Sequence, residues 1–92
     1  MRKNENGIST SFTKDLKKLQ KTSAYSEIKK LVFQIIPDCQ NVTEIKSLKK
    51  IKGHKNAYRI RIGDYRIGVF IQKETVTFSR VLHRRDVYRY FP

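Results

Sequence analysis

The spacing of apolar residues changes along this chain, from a helical period in its first half to a strand period towards its end. Residues 7–12 alternate between apolar and polar side chains, which predicts a short first strand. A first helix follows, and Ser11 or Thr13 can cap its start. Its apolar positions repeat at i, i+4 and i+7, and they are Phe12, Leu16 and Leu19.

The second predicted helix has a long and regular apolar stripe. It begins after Thr22 and Ser23, which are both good helix caps, so the two helices should form a helical hairpin. Pro37 is expected to end it, because proline disfavours the helical conformation of the residue before it. The stripe consists of Tyr25, Ile28, Leu31, Val32, Ile35 and Ile36.

Alternation of apolar and polar residues predicts three strands in the second half of the chain. Two tight turns, Gly63-Asp64 and Lys73-Glu74, separate them, so the strands should be antiparallel neighbours. Their apolar side chains share one face, which the two helices are expected to cover. The predicted strands span residues 57–63, 65–72 and 75–82.

The remaining segments complete the prediction of an α+β fold in a single domain of residues 1–92. Residues 83–90 read as a short terminal helix or an extended tail. Residues 38–56 read as a long, lysine-rich connection, and long ordered loops often carry function. The side chains expected to anchor this connection to the core are Ile45, Leu48 and Ile51.

Arginines occupy polar positions of the predicted sheet, whereas lysines are concentrated on the helices and in the connection. Arg59 and Arg61 should leave the same face, roughly 7 Å apart along their strand. Arg66 on the next strand should lie beside them, and Arg84 or Arg85 can approach from the end of the last strand. This arginine face, defined by Arg59, Arg61 and Arg66, suits phosphate groups. The alternative is a solvated sheet face whose charges only protect the edge of the sheet from pairing with another strand.

The net charge is +13, from 21 basic and 8 acidic residues, and it favours an anionic partner. RNA, DNA, an acidic membrane or an acidic protein would all fit, and simple solubility is the alternative. The chain lacks an apolar run of about 20 residues and the apolar core of a signal peptide. We therefore expect a soluble, cytoplasmic protein.

Cysteine and histidine are too few and too scattered to predict a metal site. The single cysteine, Cys39, fits a reducing compartment and reads as a small apolar residue near a helix end. His54 and His83 lie far apart, and no pair has the spacing of zinc ligands. No metal and no cofactor are expected.

Two residues at the end of the last strand can move protons. His83 and Tyr88 are placed by the strand pattern at the end of the arginine face. Metal-independent cleavage of RNA needs a base for the ribose 2′-hydroxyl, an acid for the departing 5′-oxygen, and fixed cations for the charged phosphate. His83 could be the base or could merely close the strand. Tyr88 could be an acid or a base, or could stack on a nucleobase.

Two sequence runs, LKKIKGHKNAYRIRIGDYRIGVFI and RVLHRRDVYRYF, resemble the RelE/ParE superfamily of toxins from bacterial type II toxin–antitoxin systems. The resemblance implies a microbial-RNase-like fold with a twisted antiparallel sheet. It also implies cleavage of mRNA in the ribosomal A site, inhibition of translation, and a cognate antitoxin with an acidic toxin-wrapping segment. Operator DNA would be bound only through the antitoxin complex, and no membrane is involved.

The resemblance also assigns roles to individual residues. Arg59 and Arg61 match paired basic positions that are often lysine in the superfamily, and arginine keeps phosphate binding but is a poorer proton donor. The full set of catalytic candidates is Arg59, Arg61, Arg66, His83, Arg84 and Tyr88, with Arg85 replacing Arg84 if the register slips. The residues expected to bind RNA are Lys49, Lys50, Lys52, Lys55, Arg85 and Arg89.

Two other functions remain open at this point. ParE-type members of the same superfamily poison DNA gyrase and cleave no RNA themselves. A nucleic-acid-binding module without catalysis would also use an arginine face. The presence of Arg66, Arg84 and Tyr88 favours the nuclease branch, namely a ribosome-dependent mRNA endoribonuclease.

Overall fold

The fold is built on one five-stranded sheet. In the computed structural model, residues 7–73 and 75–92 are described. The strands are β1 (Gly7–Ile8), β2 (Leu48–Lys50), β3 (Ala57–Ile62), β4 (Tyr65–Gln72) and β5 (Thr75–His83). They lie in the order β1-β5-β4-β3-β2, in which β1 runs parallel to β5 and the other neighbours are antiparallel. The three predicted strands are therefore present as antiparallel neighbours.

The earlier helices pack on one side of this sheet, and a last short helix, which follows β5, packs on the opposite side. The helices are α1 (Thr10–Lys18), α2 (Tyr25–Lys30), α3 (Ile36–Asp38) and α4 (Val87–Tyr90). A π-helical turn, Leu31–Ile35, joins α2 to α3, and a 3₁₀ turn, Val42–Glu44, precedes β2. The α+β prediction, with a helical hairpin on one face, is confirmed.

The prediction that Pro37 ends the second helix is wrong by two residues, because α3 runs to Asp38. Pro37 lies in the first turn of α3, where a missing N–H leaves little unsatisfied. The preceding π-helical turn widens the helix, and the N–H of Ile36 donates to the carbonyl of Leu31, five residues earlier. The stripe therefore continues past the proline, and Ile36 is fully buried.

The first strand is shorter than predicted, because the helix begins earlier. Ser9 is the N-cap of α1, and its hydroxyl accepts a hydrogen bond from the N–H of Phe12 at 3.0 Å. The predicted caps, Ser11 and Thr13, lie inside the helix instead. The same Ser9 hydroxyl donates to the carbonyl of Ser79 at 2.8 Å, which ties the start of α1 to β5.

Part of the predicted connection, residues 38–56, is a strand. β2 pairs with β3, and its Leu48 lies opposite Ile60 with its side chain half-buried in the core. Three residues give too short an alternation to be recognised among so many lysines. The anchoring role of the connection is present, since Ile45 is buried in the core.

The main core lies between the helices and the inner face of the sheet. Phe12 from α1 and Phe78 from β5 pack together there, with ring centroids 5.6 Å apart. Cys39 is buried in the same core, as its apolar interpretation predicted. The largest fully buried aliphatic members are Ile28, Ile36, Ile60, Ile67, Val69, Val76 and Val81.

The opposite face of the sheet, which carries the arginines, is partly covered. The segment after β5 folds across part of it and buries a second apolar cluster, formed by Ala57, Val87 and Phe91. Ile51 and Leu82 pack against this cluster. The C-terminal segment thus covers part of the outer face of the sheet, next to the arginine face.

Within residues 7–73 and 75–92, the helices are all too short or too polar to cross a lipid bilayer.

Candidate nucleic-acid interface

The strand register brings the predicted arginines together on the outer face of the sheet. Arg61 on β3 lies directly opposite Arg66 on β4, and Arg59 lies opposite Gly68. Lys49 on β2 lies opposite Arg59 and extends the same row. Facing like charges on neighbouring strands destabilise a sheet. The facing cations therefore do not stabilise the sheet, and a bound anion would neutralise their repulsion.

Arg66 is fixed by the turn that precedes it. One terminal guanidinium nitrogen donates to the carbonyls of Gly63 at 2.9 Å and Tyr65 at 3.0 Å. Gly63 has φ +57°, a conformation that glycine adopts easily and that this tight turn requires. Burial, and next the positive charges of Arg59 and Arg61, lower the pKa of the Arg66 guanidinium. Arg66 is therefore held by the turn in a position close to the positive charges of Arg59 and Arg61.

The same turn holds Arg84. Its backbone N–H donates to the carbonyl of Asp64 at 2.7 Å, and its guanidinium lies 3.7 Å from the Asp64 carboxylate. Both side chains are largely exposed, so this ion pair contributes little to stability. Its backbone bond to Asp64 places Arg84 beside the turn that leads into β4 and Arg66, and its positive charge also lowers the pKa of Arg66.

Tyr88 lies on α4 and is 58% exposed. Its helix packs on the outer face of the sheet through Val87, which shares a buried cluster with Ala57 of β3. Phe91 of the same cluster contacts Gly68, the residue that pairs with Arg59, so α4 and Tyr88 lie on the same side of the sheet as the arginines. The structure therefore brings together five of the six catalytic candidates: Arg59, Arg61, Arg66, Arg84 and Tyr88.

His83 lies on the other face of the sheet, which corrects its predicted place at the end of the arginine face. It pairs with Tyr65, whose side chain packs against the main core, and the two rings meet edge to face at 5.6 Å. Its Nδ1 accepts a hydrogen bond from the backbone N–H of Arg85 at 3.1 Å. The strand alternation was misjudged here because a β-bulge at Gly68/Val69 shifts the register with β5.

The other predicted RNA-binding residues do not share one surface. Lys49 lies on the arginine face, but the next residue, Lys50, points to the opposite face. The ammonium group of Lys50 donates to the carbonyls of His54 and Lys55 and lies 5.8 Å from the centre of the Tyr58 ring. The side chains of Lys52, Lys55, Arg85 and Arg89 are exposed.

An ion pair inside the fold was missed by the sequence analysis. Asp15 of α1 is 5% exposed and accepts two hydrogen bonds from Arg80 of β5, at 2.7 and 3.1 Å. It also accepts the backbone N–H of Val81 at 3.1 Å. The guanidinium of Arg80 lies 5.4 Å from the centre of the Tyr90 ring on α4. The sequence signal for this ion pair was an acidic residue, Asp15, between the apolar helix positions Phe12 and Leu16.

Metal-ligating residues do not gather anywhere in the described part of the chain, where no group of three or more His, Cys, Asp or Glu side chains could hold an ion. Burial, with the negative charges of Glu44 and Asp38, raises the pKa of the Cys39 thiol. A raised pKa disfavours the thiolate, so Cys39 is poorly suited to be a nucleophile.

Sequence comparison decides the family. Residues 8–88 match the family described as "ParE toxin of type II toxin-antitoxin system, parDE". The chain belongs to the RelE/ParE superfamily of type II toxins. The toxin is 46% identical over 85 residues to Toxin RelE3 of Methanocaldococcus jannaschii, a match that covers 88% of this chain and 91% of that protein. The superfamily predicted from the two sequence runs is confirmed.

Solved structures agree with this assignment. In the RelB-RelE antitoxin–toxin complex from Methanococcus jannaschii, one chain is 38% identical to the toxin and matches it with a TM-score of 0.74. That match covers 94% of this chain and 99% of the other. A chain of the Escherichia coli DinJ-YafQ complex has the same TM-score at 16% identity, covering 92% and 98% of the two chains, and it shows the fold alone.

Proposed function

We propose that this toxin is an mRNA endoribonuclease that acts on translated messages in the ribosomal A site. The observation that carries the proposal is the convergence of Arg59, Arg61, Arg66 and Arg84 with the exposed Tyr88 on one face of the sheet. Cations alone would bind RNA, and a phenol beside them adds a group that can exchange a proton with it.

The reaction we propose is attack of a ribose 2′-hydroxyl on the adjacent phosphate. The 2′-oxygen forms a bond to phosphorus while the bond from phosphorus to the 5′-oxygen breaks. The products are a 2′,3′-cyclic phosphate and a free 5′-hydroxyl. The 2′-hydroxyl proton is released to solvent, and the departing 5′-oxygen takes a proton from the Tyr88 phenol, which solvent restores. No metal ion is needed for these steps.

The arginines supply the charge that this step requires. Arg59 and Arg61 hold the scissile phosphate and its neighbour, whose spacing is similar to that of side chains two residues apart on a strand. Arg66 and Arg84 neutralise the charge that grows on the phosphoryl oxygens. Arginine remains protonated, so proton transfer falls to Tyr88 and not to the paired basic positions.

His83 has a positioning role in this proposal. Its Nδ1 holds the backbone of Arg85, next to Arg84 and immediately before α4. Its ring lies on the Tyr65 side of the sheet, away from the arginine face. His83 therefore orders the turn that delivers Arg84 and Tyr88, and does not touch the RNA.

A cognate antitoxin with an acidic segment completes the proposed system. The net charge of +13 favours such a partner, and the RelE chain that this toxin resembles was solved with the antitoxin RelB. We place operator DNA in contact with the antitoxin complex only. Because mRNA and ribosomes are the targets, the toxin would act in the cytoplasm, as one RelE-like domain over residues 1–92 and without a membrane partner.

A second candidate is poisoning of DNA gyrase, which the ParE description of the matching family favours. Primer extension on a defined mRNA in a bacterial translation extract separates the two functions. New 5′ ends within codons, only while the message is translated, support the proposal. Ends on naked RNA would indicate a free ribonuclease, and an intact message with cleaved DNA in a gyrase assay would indicate the second candidate.

Two variants test the roles assigned to the arginine face. Tyr88→Phe and Arg84→Ala should abolish cleavage in this primer-extension assay, leaving only a residual rate that single-turnover kinetics can measure, while RNA affinity stays within a few-fold. Tyr90→Phe, which changes a neighbouring phenol of the same helix, is the matched control and should cleave normally. An equal loss of cleavage and affinity would instead indicate a protein that only binds RNA.

A further inference from the structure

Phe91 is 1% exposed although it lies on the same side of the sheet as the exposed arginines. Its ring packs directly on the backbone of Gly68 in β4. A Cβ atom built on Gly68 would stand 2.5 Å from Cδ2 and 2.6 Å from Cγ of Phe91. The backbone of Gly68 therefore forms a contact surface for the Phe91 ring, called here the Phe91 seat. A residue with a Cβ atom at this position would displace the ring.

This seat adjoins the candidate site. Gly68 lies opposite Arg59 in the register and two residues after Arg66 on the same strand. Phe70 closes the other side of the seat, with its ring centroid 5.0 Å from that of Phe91. A residue fixed at Gly68 is therefore fixed relative to the arginines.

Tyr88 depends on this seat because α4 cannot hold its own position. The helix has four residues, far fewer than an isolated helix needs for stability in water. Its first residue, Val87, is fully buried in the same cluster as Phe91, and the N–H of Phe91 donates to the carbonyl of Val87 at 2.8 Å. The two buried residues bracket Tyr88, whose side chain is exposed.

We propose that Phe91, seated on Gly68, is the positioning residue that holds Tyr88 over the arginine face. Phe91 does not touch the RNA and acts only through Tyr88. The kinetic test of this assignment rests on the proposed nuclease function, whereas the spectroscopic test does not.

The kinetic test is a double-mutant cycle of Phe91→Ala and Tyr88→Phe, measured as single-turnover cleavage on programmed ribosomes. Phe91→Ala should slow cleavage about 100-fold, the effect expected when a catalytic group is misplaced by roughly 1 Å. RNA affinity should stay within a few-fold, and Phe91→Leu should restore most of the rate. In the Tyr88→Phe background, Phe91→Ala should add no further loss. Losses that multiply would overturn the proposal.

Gly68 provides a second, independent variant. Gly68→Ala should slow cleavage as Phe91→Ala does, because its Cβ displaces the ring, and the two changes together should be no worse than either alone. Gly7→Ala is the matched control, since a Cβ there meets only Thr77 at an ordinary 3.8 Å. Equal activity of Gly68→Ala and Gly7→Ala would overturn the proposal.

The spectroscopic test uses 3-fluorotyrosine and ¹⁹F NMR on the free toxin. The chain has five tyrosines, and the Tyr88 resonance is assigned by its loss in Tyr88→Phe. Phe91→Ala should shift and narrow the Tyr88 resonance and leave that of Tyr65, which packs on the main core, unchanged. An unchanged Tyr88 resonance would overturn the proposal. A wild-type toxin without cleavage activity would contradict the nuclease function alone, and this measurement would still decide the role of Phe91.

Discussion

The two faces of the central sheet are covered in different ways. The inner face packs against α1, α2 and α3 and contains most of the buried apolar residues, including the Phe12–Phe78 pair. The outer face buries a cluster of three residues and carries facing cations, Arg61 and Arg66. Stability is thus concentrated on the inner face, whereas the outer face keeps charges that oppose folding and suit an anionic ligand.

Truncation of one buried phenylalanine on each face should show the largest difference. Phe78→Ala removes a ring from the main core and should lower the free energy of unfolding by about 3–5 kcal/mol. Phe91→Ala should lower it clearly less, because α4 can detach locally while the main core stays packed. Urea denaturation measures both. Equal losses would mean that the two clusters form one cooperative core.

The buried Asp15–Arg80 ion pair joins the layers, and its removal should have the next largest effect. Asp15→Ala leaves the Arg80 cation and the Val81 N–H without their acceptor. We expect a loss of about 2–3 kcal/mol, below the ~3–5 kcal/mol of a fully buried pair. The reason is that the Arg80 side chain remains 25% exposed. Asp15→Asn keeps a hydrogen-bond acceptor and should lose less stability. An Asp15→Ala variant with an unchanged free energy of unfolding would show that the pair is dispensable.

Salt should weaken RNA binding, and only cations on the outer face of the sheet should contribute to this salt dependence. If about four phosphates are neutralised, the slope of log affinity against log salt on single-stranded RNA should be near −3. Lys49→Ala should reduce that slope by about 0.7, the contribution of one phosphate contact. Lys50→Ala is its matched control, because the neighbouring side chain lies on the opposite face. A flat salt response, or equal effects of both variants, would contradict the assignment of RNA to the arginine face.

The smallest expected effect is a gain of stability. Arg61→Ala removes one of two facing like charges and should raise the free energy of unfolding by about 0.2–1 kcal/mol while cleavage falls. The gain should disappear at about 1 M salt, where the Debye length is near 3 Å. A loss of stability in Arg61→Ala would show that this arginine supports the fold.

The two faces also differ in how well the sequence predicts them. The second helix and the three antiparallel strands follow from regular apolar spacing, because burial of one face enforces a period over many residues. The short strands β1 and β2 have no such repeat, and they form because an edge of the existing sheet accepts them. Long-range pairing of this kind leaves almost no local signal.

The candidate site was predictable in its residues but not in its geometry. The residues Arg59, Arg61 and Arg66 share a face because a strand alternates strictly, and the structure places them so. A β-bulge shifts the pairing of β5, and His83 consequently lies on the other face. Phe91 resembles a residue of a loose tail in the sequence, and its burial depends on the long-range contact of its ring with Gly68, which has no side chain.

The parallel pairing of β1 with β5 has a consequence for the timing of synthesis. Ser9 and Ser79, which the pairing brings into contact, are separated by 70 positions. At about 5–20 residues per second, the N-terminal strand waits several seconds on the ribosome before its neighbour is made. The arginine face and α4 also belong to the part of the chain that is translated late. We therefore expect the nascent toxin to be harmless to the ribosome that makes it until the last strand has emerged.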